Sequence, residues 1–222
     1  TEKIIKKYKI KRIYVNVYPE ITRNDNSFIE IVESSFSYKV SIDLLLGNPK
    51  WALIKNHQFP LKLIKKIIDL EKKLKNNIFI TFKKIRGIHL DIEPHTLPKW
   101  NNNHKYILRQ YIVLLSMIKQ QLKNTHFKLI VDMPDWYEKH TVVFRKTAKP
   151  AYQHIIDIAD HVVLMAYKPH AEEIIEASKN EVAYATKKKK KITIGIDLNE
   201  LKENRKYTLR TIKEKLSIHD SF

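Results

Sequence analysis

Ile85–Trp100 reads IRGIHLDIEPHTLPKW, a hydrophobic run that ends in two acids and a proline-punctuated loop. Alternation along a strand puts Ile88, Leu90 and Ile92 on one face and Gly87, His89, Asp91 and Glu93 on the other. The first face suits packing beneath helices. The second carries an imidazole and two carboxylates in an otherwise apolar strand, which is costly unless they are paired or line a solvent-filled site. Pro94 ends the strand, and Pro98 and Trp100 shape the loop beyond it. Acids at the carboxyl end of a strand, ahead of a loop, stand where α/β proteins place their sites. The alternative is a structural Asp and Glu that cap the next helix.

Working outward, five further runs read as strands: Lys11–Tyr18, Tyr38–Leu46, Phe127–Met133, His161–Tyr167 and Ile192–Leu198. Helical spacing is read over residues 2–9, 59–75, 103–123, 151–158, 171–186 and 206–216. Ser27 is expected to cap a short helix running to Ser34, and Tyr106 to belong to the apolar stripe of the 103–123 helix. Ser217–Phe222 is expected to begin another strand. Strict alternation of strand and helix implies parallel pairing with right-handed crossovers. The chain has only 3 glycines and no Gly-rich loop after any strand, which argues against a dinucleotide-binding fold. The expected fold is α/β, a single (β/α)8 TIM barrel over 1–222. It is incomplete or trimmed at strand one, since a barrel needs eight strands and fewer are read.

Composition narrows the function. With 222 residues and 43% hydrophobic content the chain can bury a core. No apolar run is long enough to span a bilayer. The absence of cysteine excludes disulfides, zinc–thiolate sites and cysteine nucleophiles. The net charge of +18 arises from 42 basic against 24 acidic residues. These are spread through most segments, with no Arg-rich recognition helix, so a solvated basic surface is preferred to nucleic-acid binding. The lysine run Lys187–Lys191 enters the last full strand at its amino end, the barrel face opposite a site.

Arg86–Glu93 (RGIHLDIE) resembles the D-G-x-D-x-D-x-E motif of chitinase-type, family-eighteen glycoside hydrolases. Gly87, Asp91 and Glu93 match, while Arg86 and His89 replace the first two acids. Met165-Ala166-Tyr167-Lys168 resembles the family's M-x-Y-D, with Lys168 in place of the acid. One strand lies between the two segments, as in that family. The LDIEP and MAY strands are also similar to those of bacterial barrel proteins.

The resemblance implies that Glu93 is the general acid protonating a glycosidic oxygen, which requires a raised pKa. It implies that Asp91 orients an acetamido group serving as internal nucleophile, and that Tyr167 hydrogen-bonds the developing charge. Lys168 and Arg86 would weaken Glu93 as an acid if they pointed inward; by alternation Arg86 points outward. A second enzymatic reading pairs Glu93 with Asp197 or Glu200 as nucleophile. His89, Asp132, Trp136, Met165, Asp197, Trp100, Tyr14 and Asn16 are the candidate substrate-binding residues. Asp43 is either a further acid at the barrel mouth or a structural one. No metal and no other cofactor is expected, and the expected partner is a carbohydrate. The alternatives are a non-catalytic or degenerate carbohydrate-binding barrel and a basic polyanion-binding protein. A secreted or cell-surface location follows from the resemblance only.

Overall fold

A computed structural model describes residues 2–36, 40–74 and 85–216 of the chain. A short helix α1 (Glu2–Lys7) leads into β1 (Arg12–Asn16), α2 (Tyr18–Arg23), α3 (Asp25–Phe36), β2 (Ser41–Leu46) and α4 (Gln58–Leu74). Then come β3 (Ile85–Leu90), α5 (Trp100–Gln121), β4 (Lys128–Pro134), a hairpin of β5 (Thr141–Phe144) and β6 (Thr147–Pro150), and α6 (Ala151–Ile158). The chain continues through β7 (His161–Met165), α7 (Ala171–Lys187), β8 (Lys191–Gly195) and α8 (Arg205–Leu216). Six strands form one sheet in the order β1-β2-β3-β4-β7-β8. These six are the strands read from the sequence, and their alternation with helices makes the fold an incomplete (β/α) barrel. The expected strand over Ser217–Phe222 lies outside the described residues.

The chain divides into two compact units, Thr1–Ile130 and Val131–Phe222. In the first, β1 pairs parallel with β2 and β2 with β3. β2 and β3 are largely buried on both faces, as parallel strands are, with Arg86 of β3 exposed. Leu63, Ile64, Ile67, Ile68 and Leu70 of α4 and Leu108, Ile112, Leu114 and Leu115 of α5 are buried with them. Burying each such side chain contributes roughly 1.5–3 kcal/mol. Tyr106 departs from the expected stripe: it is 62% exposed, because the buried face of α5 runs through Ile107, Leu108 and Tyr111 instead. The cap of α3 also differs. Asn24 Oδ1 accepts from the Ser27 amide at 2.8 Å, so Asn24, not Ser27, satisfies the first turn.

In the second unit β7 and β8 pair parallel from His161↔Lys191 to Met165↔Gly195. Ala166, Ile174 and Ile212 form a core against which Ile194, Ile196 and Leu201 pack. The β5–β6 hairpin was not anticipated. Its two-residue turn holds Arg145 at φ 48° and Lys146 at φ 66°, the left-handed pair that a tight hairpin requires. The lysine run begins at the end of α7 and leads into the amino end of β8. Lys190 Nζ donates to the Ala159 carbonyl at 2.8 Å, and Lys188 stands 3.8 Å from Asp157.

Candidate active site

In the first unit the carboxyl ends of β1, β2 and β3 carry most of the polar residues singled out from the sequence. The register sets Tyr14 opposite Asp43 and Asn16 opposite Leu45, with Leu45 opposite His89. His89 is fully buried, and the exposed Tyr14 meets it edge-on with ring centroids 4.3 Å apart. Asp43 is also fully buried. Arg12 Nε lies 3.4 Å from Asp43 Oδ2, which supplies the charge that a carboxylate needs in such a place. Asp43 therefore has a structural partner within its own sheet.

The strand ends earlier than alternation suggests. Leu90 is the last strand residue, and the Asp91 amide adds one more ladder bond by donating to the Leu46 carbonyl at 2.9 Å. Gly47 makes that closeness possible, since a Cβ there would stand 2.0 Å from the Asp91 carbonyl oxygen. Glu93 then leads a single 3-10 turn, Pro94–Thr96. Its carbonyl accepts from the Thr96 amide at 3.0 Å and from the Thr96 hydroxyl at 2.9 Å. The backbone of Glu93 is thereby fixed while its side chain remains 36% exposed. His95 Nε2 is 4.0 Å from Glu93 Oε1. Burial lowers the His95 pKa below the ordinary histidine value, with the Asp91 charge opposing, so the ring is neutral at pH 7. Trp100 is 9% exposed and sets its ring against His95 and His104, so it packs the loop at the start of α5. Trp51 is likewise buried, in a cluster with Tyr18 and Phe59.

In the second unit, Asp132 is half-buried on β4, and the chain turns after Pro134 into a 3-10 segment, Asp135–Lys139. Trp136 is half-buried there, edge-on to Tyr137 and His140 at 5.0 and 5.6 Å. Met165 ends β7 half-buried, and Tyr167 beyond it is 43% exposed. Gly195 on β8 lies beside it: an added Cβ would stand 3.3 Å from the Leu164 carbonyl oxygen and in ordinary contact with Tyr167 Cε1 at 3.5 Å. Asp197 lies past the end of β8, where its Oδ1 accepts from the Asn199 amide at 2.8 Å and closes a turn. Lys168, of ambiguous direction in the sequence, pairs with Asp135: Nζ and Oδ2 are 2.8 Å apart. Among the described residues no cluster of three or more His, Asp or Glu could hold a metal ion. No described helix is long and apolar enough to cross a membrane.

No protein-family model matches the chain, and no curated protein does. Solved structures do. The proposed sporulation-specific glycosylase ydhD from Bacillus subtilis matches with a TM-score of 0.53 at 15% identity, covering 79% of this chain and 57% of that one. The Ostrinia furnacalis Group IV chitinase matches with a TM-score of 0.51 at 11% identity, covering 85% and 58%. The Bacillus megaterium spore cortex-lytic enzyme SleL matches with a TM-score of 0.47 at 20% identity, covering 75% and 38%. The chain shares the (β/α)-barrel fold of the first two of these structures. The chain spans less than two thirds of the length of each of these structures.

Two features of this barrel escaped the sequence reading. Asp135, the partner of Lys168, carried a signal in its place directly after the strand-ending Pro134. Glu181 of α7 is 1% exposed, and neither carboxylate oxygen has a hydrogen-bond partner among the described residues. Burial, with the charges of Glu138 and Asp135 adding to it, raises its pKa to about 7. One helical residue among several acids gave no sign of this.

Proposed function

We propose that the chain is a glycoside hydrolase-like barrel acting on a polysaccharide or glycan, with Glu93 as the general acid. The placement of Glu93 carries the reading: its backbone is pinned by Thr96 just beyond β3, and its carboxyl remains open to solvent beside a neutral His95. The neutral imidazole adds no positive charge beside the carboxyl, and a general acid at this place would donate its proton from Glu93. That proton passes to the glycosidic oxygen as its bond to the anomeric carbon breaks. Asp91 then orients the sugar's acetamido group, whose carbonyl oxygen bonds to the anomeric carbon until water displaces it. The Group IV chitinase that shares the fold was solved in complex with allosamidin, which supports a glycan-type ligand.

The test is hydrolysis of N-acetylglucosamine oligomers, read as new reducing ends. Glu93→Gln is expected to lower turnover by about 10²–10⁴-fold with the melting temperature unchanged. Wild-type turnover in that variant overturns the proposal. A second reading, a carbohydrate-binding barrel without catalysis, is favoured by Lys168, which brings a cation where the chitinase-type motif carries an acid. It predicts glycan binding with no hydrolysis, unchanged by Glu93→Gln.

A further inference from the structure

A cleft of about 680 Å³ opens in the first unit beside the turns after β2 and the first turns of α5. Leu53, Leu97, Pro98 and Ile107 give it an apolar floor, and the exposed Tyr106 forms a wall. Lys50, Lys55 and Lys99 stand around it, and among the described residues no acidic one lines it. Two lysines elsewhere in this unit, Lys65 and Lys66, pair with Asp69 and Asp25 at 2.9 Å each. The three cleft lysines form no ion pair among the described residues. The backbone of α5 departs from helical geometry at Asn103 (φ −137°, ψ 18°), one of the residues facing the cleft.

We propose that this cleft binds a carboxylate-bearing glycan. The lysines take its carboxylates and the Tyr106 ring stacks on a sugar face. The amides sharpen the choice of ligand. Asn56 Nδ2 donates to the Lys50 carbonyl at 2.7 Å, and Asn103 Nδ2 to the Lys99 carbonyl at 3.4 Å. Gln110 spends both ends on the backbone, accepting from Ile54 and donating to Tyr106. The side-chain oxygens of Asn56 and Asn103 thus remain as acceptors, which suit sugar hydroxyls and not a fully ionised phosphate. No Gly-rich loop supplies the amide cradle that phosphate sites use. An apolar floor with an aromatic wall suits the face of a pyranose, whose C–H groups are apolar. The sugar rests on the carbohydrate reading of the fold; the charge rests on the cleft alone.

The test is calorimetric titration of the full chain with a galacturonic acid tetramer, at roughly 50 and 150 mM salt. A Lys50→Gln/Lys55→Gln/Lys99→Gln variant and a separate Tyr106→Ala variant are each expected to bind about tenfold more weakly or worse. A control that changes the exposed Lys3, Lys62 and Lys72 to Gln should bind as wild type. Equal loss in both triple variants would reduce the effect to general charge attraction and overturn the proposal. So would no binding by wild type, or displacement of the tetramer by equimolar inorganic phosphate or ATP. Glu93→Gln should retain tetramer binding. Lost hydrolysis with retained binding supports both readings. Hydrolysis unaffected by that change with binding retained removes the catalytic reading alone, and lost hydrolysis with no cleft binding removes this one alone.

Discussion

Lys168 Nζ lies 2.8 Å from Asp135 Oδ2, joining the segment after β7 to the turn after β4. The Asp135 side chain is only 10% exposed, so the lysine neutralises a carboxylate that has lost most of its water. Lys168→Met should therefore cost about 1–3 kcal/mol, the desolvation penalty of the acid left behind. Lys168→Asp, which restores the acid of the chitinase-type motif, should cost more, because it sets two carboxylates together. Urea unfolding at pH 7 orders the three proteins. An unchanged midpoint for Lys168→Met would show that the pair contributes nothing.

Arg12 and Asp43 make a similar argument inside the first unit. Asp43 is fully buried and the Arg12 side chain is 18% exposed. Arg12→Met should destabilise by about 3–5 kcal/mol, since it strips a buried charge of its guanidinium. Arg12→Met combined with Asp43→Leu should recover most of that loss, because no charge then needs compensation. Chemical unfolding of the single and double variants checks both statements.

Gly47 and Gly195 both stand next to backbone, but at different distances. A Cβ at Gly47 meets the Asp91 carbonyl oxygen at 2.0 Å; one at Gly195 meets the Leu164 carbonyl at 3.3 Å. Gly47→Ala forces the loops after β2 and β3 apart and should cost roughly 3 kcal/mol or more. Gly195→Ala should cost under about 1.5 kcal/mol, a few tenths of an ångström of relaxation sufficing. Thermal unfolding of both variants tests the order, and a larger effect at Gly195 would contradict it.

Glu181 gives a pH dependence of definite sign. Its pKa rises from the ordinary 4.5 to about 7 in the folded protein because the charged form is buried. The folded chain holds the proton more tightly than the unfolded chain. The associated stability is fully present below about pH 4.5 and lost as pH rises through 7, on the order of 3 kcal/mol in all. Glu181→Gln cannot ionise, so it should be more stable than wild type at pH 8, with the difference closing by pH 5. Melting curves across that range read the crossover, and parallel curves for the two proteins would refute it.

Six strands and their helices were legible because buried parallel strands write their own signal, short apolar runs broken by proline or polar turns. Their carboxyl ends were not. Alternation continues through Asp91–Glu93, Ala166–Tyr167 and Ile196–Leu198, yet regular strand stops at Leu90, Met165 and Gly195, with one further backbone bond each from Asp91 and Ala166. The hairpin over Thr141–Pro150 was missed because Arg145 and Lys146 hold left-handed backbone without the Asn-Gly pair that usually announces such a turn. In the candidate site, the segment from His89 to Glu93 was legible as polar groups in an apolar strand.

Ile85–Trp100 alone determined that a buried strand would end in acids beside a proline turn, since periodicity and proline act within a few residues. Tertiary structure decided what those residues and their counterparts face. It buried His89 against Tyr14, paired Lys168 with Asp135, left Tyr106 at a cleft and hid Glu181 without a hydrogen-bond partner among the described residues. Each depends on chain segments distant in sequence. Charge compensation and desolvation are set by what arrives alongside a residue, which local spacing does not encode.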